Sequence, residues 1–340
     1  MVCSVRVMSF NVRGASHRSD GVNLWEKRAA MNVETIRRYG PDVIGFQECH
    51  NENLEVYEKE LPGYARLKGP VYGTAQVEEY AAIFFDPARF EELDSGGFWL
   101  SDTPEEYSAS WGNEVVRSAN WAVLRCKENG AALLHANTHL DHVGEVARIE
   151  GSRLILEQTE KARDNHGYPP AVVTGDFNCK PGSPPYRVFV EEGFVDTFLA
   201  AGNEDDERAS TFHAFKGERF TPSDTDKPVG RIDWILVRDA AGTVKIRSHE
   251  ILRDGDEEAG KYPSDHYPVL AELDLLRPIS YRVCLKGIGM TPQTRLFPGS
   301  SSLFTSSHAA TVAPTSEKPS LTPRSWGSVP TRRSGTRSRV

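Results

Sequence analysis

Two kinds of hydrophobic pattern alternate along residues 1–276. Val5–Phe10 alternates apolar and polar positions and reads as a strand, and Leu24–Tyr39 follows with helical spacing at Leu24, Met31 and Ile36. Asp42–Gln47 predicts a short apolar strand and Glu52–Glu60 a helix. Tyr80–Phe85, Phe90–Leu100, Asn120–Cys126 and Ala131–His139 read as successive strands, antiparallel if hairpins link them. Glu145–Lys161 is the clearest helix, with Val146, Ile149, Leu154 and Leu156 interrupting a charged run. Ala171–Thr174 predicts a buried strand and Pro185–Glu192 a short helix, and Ile232–Val237, Val244–Glu250 and Val269–Leu275 complete the strands. Long antiparallel stretches with helices at intervals predict an α/β fold of two packed mixed sheets with helices outside.

The pattern stops at residue 277. Residues 277–340 hold 12 Ser, 8 Thr and 7 Pro and carry ten basic residues against one acidic. With no sustained apolar period, such a segment cannot bury enough surface to offset its ordering entropy, so disorder is expected. The chain therefore divides into a domain at 1–276 and a basic tail at 277–340. A solvated tail, or a C-terminus of doubtful gene-model origin, is a simpler reading than a basic arm for an acidic partner.

Composition narrows the class. At 39% hydrophobic and 26% charged residues, the chain reads as an ordinary globular protein. No apolar run reaches the 18 or so residues of a membrane span. A strand pattern beginning at Val5 leaves no room for a signal peptide, so a cytoplasmic location is expected. Five scattered cysteines with no CxxC argue against a disulfide framework or a zinc knuckle. The net charge of −8 hides an asymmetry, because residues 1–276 carry 30 basic and 47 acidic residues. So acidic a body is a poor generic binder of duplex DNA. It still admits a phosphate substrate, since a carboxylate-rich site can hold a divalent metal that reverses the local charge.

Several predicted strands end in polar residues. Asn11 follows the first, Glu48 the second, His139 a later one, and Asp176 and Asn178 the next; Asp233, Asp265 and His266 stand in Gly230-Arg-Ile-Asp233 and Pro263-Ser-Asp-His-Tyr-Pro268. A single strand-terminal Asn or Asp is more often a turn residue or helix cap. Six such motifs in one chain are harder to dismiss, because loops beyond strand ends hold reactive groups on a rigid base. Glu48 offers a hard oxygen ligand, with Asn11 and Asp265 as possible neighbours; such a set, free of cysteine, favours Mg²⁺ or Mn²⁺. Asp176 can take a proton from water and Asn178 can orient that water. His139 and His266 can stabilise phosphate oxygens, Asp233 can orient His266, and Glu79 can do the same for His139. Metal, oriented water and cationic donors suit phosphoester hydrolysis.

Phe10-Asn11, Gln47-Glu48, Thr138-His139-Leu140, Gly175-Asp176-Phe177-Asn178, Arg231-Ile232-Asp233 and Ser264-Asp265-His266 together resemble the endonuclease/exonuclease/phosphatase superfamily, in family order across residues 5–275. The resemblance implies a four-layer α/β sandwich, DNase I-like, with one active site at the sheet edges. It also implies Mg²⁺-dependent attack of water on a phosphoester, with a phosphodiesterase or nuclease ahead of a phosphomonoesterase. By resemblance Glu48 is the main metal ligand with Asn11 and Asp265 near the metal. Asp176 is the general base or acid, Asn178 its partner, Asp233–His266 the family's Asp–His pair, and His139 a second histidine. The stretch from Gly175 to Tyr186 is similar to a deadenylase-like pattern, GDFN-x-x-P-x-S-x-x-Y. Strings of the inositol polyphosphate 5-phosphatases and the N-G-x-R run of the AP endonucleases are absent. The expected partner is a phosphoester: nucleic acid, nucleotide or lipid head group. No obligate protein partner is evident.

Other residues carry weaker signals. Arg13, Arg28 and Arg117 are possible phosphate contacts, although Arg28 lies in a helix pattern and fits a solvated face better, while Arg117 reads equally either way. Trp99 and Trp121 fall on strand patterns and suit the core. Trp111, in the polar loop Ser108-Ala-Ser-Trp-Gly112, is the best candidate for a substrate platform.

Overall fold

A computed structural model describes residues 2–74, 77–113, 115–224 and 230–277. The tail expected at 277–340 lies outside them save for Arg277. In chain order the elements are β1 (Val2–Asn11), α1 (Trp25–Tyr39), β2 (Val43–Gln47), α2 (Asn51–Glu60), β3 (Ala65–Leu67), β4 (Val71–Thr74), β5 (Val77–Tyr80) and β6 (Ile83–Phe85). There follow β7 (Phe90–Trp99), β8 (Ser118–Cys126), β9 (Ala132–His139), α3 (Glu145–Asp164), β10 (Ala171–Asp176), α4 (Pro184–Glu191), β11 (Val195–Asp196), α5 (Thr197–Ala200), β12 (Asp233–Arg238), β13 (Val244–Ile251) and β14 (Val269–Leu276). Among the described residues no helix is long and apolar enough to cross a membrane.

Two six-stranded mixed sheets form, in the orders β13-β14-β1-β2-β6-β3 and β11-β12-β10-β9-β8-β7, and β4-β5 is a separate hairpin. Each sheet is built around one parallel pair, β1 with β2 and β9 with β10. A crossover helix makes each pair possible, α1 in the first sheet and α3 in the second. The flanking strands are antiparallel, so their starts meet the ends of the parallel strands at one edge.

Three apolar layers follow from period-2 alternation. Cys3, Val5 and Val7 of β1 meet Leu133, Val172, Ile235 and Val237 between the sheets. Met8 and Phe10 point the other way, to Val33, Ile36 and Tyr57 under α1 and α2. Leu134, Ala136 and Val173 pack with Ile155, Leu156 and Phe189 under α3 and α4. This is the four-layer α/β sandwich that the resemblance implied.

Local differences have physical causes. The buried face of α3 runs through Ala147, Gly151, Ile155 and Thr159, four residues apart, leaving Val146 58% exposed. The expected Tyr80–Phe85 strand breaks into β5 and β6, which join different sheets. The reading against disulfides is corrected at Cys3 and Cys126, which form one bond rather than a framework. They stand on facing sheets with both side chains turned into the inter-sheet core. No local spacing reveals such a pair, since 123 residues separate them. Cys49 and Cys179 are free and buried.

Two buried histidines tie stability to pH. Burial pushes His135 down to about 3, and burial, with Arg231 adding to it, does the same to His249. Each has one ring nitrogen on a threonine hydroxyl, Thr174 at 2.9 Å and Thr197 at 2.7 Å. Unfolded, both titrate near 6.5, so below that pH the unfolded chain binds more protons and stability falls until the folded pKa is reached. Denaturant unfolding at pH 7 and pH 5 is expected to differ by roughly 2 kcal/mol per histidine. His249→Asn is expected to shrink the difference by about one such step. A pH dependence unchanged in that variant would contradict the assignment.

Candidate active site

Toward one edge of the sandwich, the inter-sheet face of each central strand turns from apolar to polar. Along β1 the series is Cys3, Val5, Val7, Ser9, Asn11; along β2 it is Val43, Gly45, Gln47; along β9 it is Leu133, His135, Asn137, His139; along β10 it is Val172, Thr174, Asp176. These polar groups are buried and must pair with one another. Gln47 Nε2 donates to Ser9 Oγ (3.1 Å) and Asn137 Oδ1 (2.7 Å), and Thr174 Oγ1 donates to Asn137 Oδ1 (3.0 Å). Gly45 makes room, because a Cβ there would drive into Thr174 Oγ1 and Asn137 Oδ1.

Asp176 sits at the end of this ladder, 2% exposed. Its Oδ2 accepts from Asn11 Nδ2 of the other sheet at 2.9 Å, and its Oδ1 accepts from the Asn178 N–H at 2.9 Å. His139 Nε2 lies 3.5 Å and His266 Nε2 3.8 Å from the same Oδ2. Asn11 Nδ2 also donates to Glu48 Oε1 at 3.0 Å, so one amide holds both carboxylates. Asn178 Nδ2 meets His139 Nε2 and the Leu140 carbonyl, each at 3.0 Å. Glu48 and Asn178 each follow a strand with φ of 53° and 50°. That left-handed turn is unusual for glutamate. It is secured where the Glu48 N–H donates to the Tyr72 hydroxyl at 2.8 Å.

The charges are arranged unequally. Burial above all, then Asp233, pushes Asp176 up to about 6, against the pull of His266, the Asn178 N–H and Asn11. Burial also opposes charge on Glu48, but His17, His139 and Arg13 outweigh it and hold the carboxyl well below its usual range. His266 donates through Nδ1 to Asp233 Oδ2 at 2.9 Å. Burial alone would make it neutral; Asp233 and Asp176 prevail and raise it to about 9. The site therefore holds an ionised glutamate, a cationic histidine and an aspartate titrating near neutral pH.

A divalent cation fits this donor set. Glu48, His139 and Asp176 offer ligand atoms within 4.8 Å of one another, as do Asp176, Asp233 and His266. Asp233 Oδ1 is buried without a hydrogen-bond partner. Asn11 turns its amide N–H₂ toward the carboxylates while its Oδ1 accepts the Arg13 N–H at 3.0 Å. Asp265 faces Arg13, with Oδ2 3.8 Å from Nε.

The sequence-predicted residues fall into two sets. Asn11, Glu48, His139, Asp176, Asn178, Asp233 and His266 are linked in one cluster, with Asp265 joined to it through Arg13. Arg117 reaches the cluster through Tyr72, its guanidinium 5.8 Å over that ring, and Trp111 is bonded elsewhere. Arg117 is 5% exposed with Nη2 3.1 Å from His142 Nδ1, and the Trp111 indole donates to Asp102 Oδ1 at 2.9 Å. Arg28 is no solvated cation: it is 2% exposed and donates to the carbonyls of Asn23, Val12, Pro263 and Arg13, pinning the loop after β1 to the one before His266. The Tyr72 hydroxyl stands 3.3 Å from His139 Nδ1, with Glu79 cross-strand from Tyr72. Sequence reasoning missed Tyr72 and also His17, whose Nε2 lies 3.5 Å from Glu48 Oε2. Neither stands in a recognisable motif.

Comparison with known proteins decides the family. Its model, described as the Endonuclease/Exonuclease/phosphatase family, matches residues 8–266. The chain belongs to the endonuclease/exonuclease/phosphatase family. It superposes on the mannosyl-6-phosphatase Bt3783 of Bacteroides thetaiotaomicron with a TM-score of 0.69 at 30% identity, over 79% of this chain and 99% of that one. Nocturnin of Xenopus laevis is 25% identical over 268 residues, 73% of this chain and 64% of the relative. The CCR4-Not complex 3′-5′-exoribonuclease subunit Ccr4 of Saccharomyces cerevisiae is 24% identical over 306 residues, 74% of this chain and 36% of the relative. The chain spans under two thirds of these curated relatives. A family member of this kind is a phosphoester hydrolase.

The pairing of His266 with Asp233 can be read directly by NMR titration in EDTA. Wild-type His266 is expected to stay protonated to about pH 9. In Asp233→Asn, burial is left with less opposition, and the ring is expected to be neutral at pH 7.5. An identical titration in both proteins would refute the pairing.

Proposed function

We propose that the chain is a Mg²⁺-dependent phosphoester hydrolase in which water attacks phosphorus at the edge shared by the two sheets. The observation that carries this reading is the buried Asp176 carboxylate, held by Asn11 and Asn178 between His139 and His266. With its pKa raised to about 6, Asp176 is suited to take a proton from water near neutral pH. Asn178 keeps His139 in place, and the His266 cation, oriented by Asp233, faces negative charge as it develops on the phosphoryl oxygens. Glu48, with Asn11 and Asp265 beside it, would hold Mg²⁺ or Mn²⁺, which supplies charge neutralisation at the phosphoryl group.

The substrate class is a phosphodiester or a phosphomonoester. The deadenylase-like stretch Gly175–Tyr186 and the likeness to an exoribonuclease subunit support a diester. The acidic body speaks for a small or single-stranded substrate over a long duplex. A monoesterase acting on a sugar phosphate is the second reading, favoured by the 30% identity to a mannosyl-6-phosphatase matched over 99% of its length. A silent binding protein of this fold is disfavoured, because every motif residue is present.

The test times hydrolysis of bis(p-nitrophenyl) phosphate and p-nitrophenyl phosphate by the full chain, with Mg²⁺ and then with EDTA. Metal-dependent turnover is expected, and its preference between the two selects diester or monoester. Asp176→Ala and His266→Ala are each expected to lose about 10²–10⁴-fold in turnover while remaining folded. Near wild-type turnover in both variants would overturn the assignment.

A further inference from the structure

Beside the catalytic edge lies a groove of about 1280 Å³. Its walls continue the segments that carry the catalytic cluster. Lys180 stands two residues after Asn178, Gly230 three before Asp233, and Tyr267 directly after His266, while the His213 N–H donates to the Asp265 carbonyl at 2.9 Å. Beneath the groove the buried rings of His213 and Tyr267 stack at 3.9 Å with 20° between them.

The wall is cationic. Lys180, Arg208 and Arg253 line the groove, are exposed, and have no carboxylate partner among the described residues. The Arg253 guanidinium lies 5.0 Å over the Tyr267 ring and donates to the Arg208 carbonyl. Of the acidic neighbours, Asp205 is bound by Arg231 at 2.8 and 2.9 Å, and the exposed Asp206 accepts the Arg208 N–H at 2.8 Å. Glu218 is the remaining carboxylate of the lining among the described residues. In a body with 47 acidic residues, three cations without a carboxylate partner among the described residues stand together next to a phosphoester site.

We infer that this groove binds a second phosphoryl group of the substrate, so the preferred substrates carry two phosphates: a small bisphosphorylated compound, or an oligonucleotide whose neighbouring phosphate enters the groove. This rests on the hydrolase reading above. Cations free to form charge-assisted hydrogen bonds add affinity only for a ligand that reaches them.

The test measures binding by calorimetry to the full chain in EDTA, where turnover is suppressed. The probes are adenosine 3′,5′-bisphosphate against AMP, and trithymidylate against dithymidylate. The bisphosphate, the trinucleotide or both are expected to bind about tenfold tighter than their shorter partners, as one added charge-assisted contact predicts. The pair showing the gain identifies the source of the second phosphate. Lys180→Gln with Arg208→Gln replaces exposed side chains that have no carboxylate partner among the described residues, so folding is retained and the gain is expected to vanish. Equal binding within both pairs, no binding at all, or a gain that survives the double substitution would overturn the inference. Turnover of p-nitrophenyl substrates with Mg²⁺ reports separately on hydrolysis. A binding gain without turnover removes the hydrolase reading and keeps the groove; turnover without a gain does the reverse.

Discussion

The bond from Asn11 to Asp176 joins the two sheets where their shared interior turns from apolar to polar. A sandwich core normally excludes such groups, because each unpaired one costs free energy. Here the cost is met by mutual satisfaction across the interface: Asn11 reaches Asp176 at 2.9 Å, Gln47 reaches Asn137 at 2.7 Å, and Asn137 donates to the Phe46 carbonyl at 2.7 Å. The same bonds that let the sheets close at this edge fix the position of the carboxylate expected to do the chemistry. Stability and function therefore draw on one network.

Around this joint, charge is distributed by surroundings more than by residue type. Three carboxylates, Glu48, Asp176 and Asp233, stand close together, and they differ in their neighbours. Glu48 has His17, His139 and Arg13 and stays ionised; Asp176 faces Asp233 in a buried position and is raised. His266, between Asp233 and Asp176, is held as a cation despite full burial. Separating the pKa values of adjacent groups assigns acid and base roles within one small site.

The outer loops are braced rather than loose. Arg28 ties four backbone carbonyls from the loops that carry Arg13 and Asp265, and Tyr72, on the small β4-β5 hairpin, contacts both Glu48 and His139. The first brace comes from a helix and the second from a hairpin outside both main sheets, yet both act on residues from different strands. Buried cations and hydroxyls of this kind rigidify a site because each satisfies several groups at once.

Much was legible along the chain. Strand and helix periods placed nearly every long element, because burial on one face imposes a period of 2 or 3.6 on the sequence itself. Ordered motifs such as Gly175-Asp-Phe-Asn178 and Ser264-Asp-His266 named the cluster, since strand ends are local features. Short elements such as β3, β11 and α5 escaped, being too brief to show a period. So did the Cys3–Cys126 bond, the burial of Arg28, the partner of His139 and the cationic groove. The sequence by itself determined which residues alternate and which polar groups end the strands. Only the tertiary structure decided which of them meet, because contacts between residues 33 to 253 positions apart depend on how the strands and sheets pack. Packing geometry, and no local pattern, sets that.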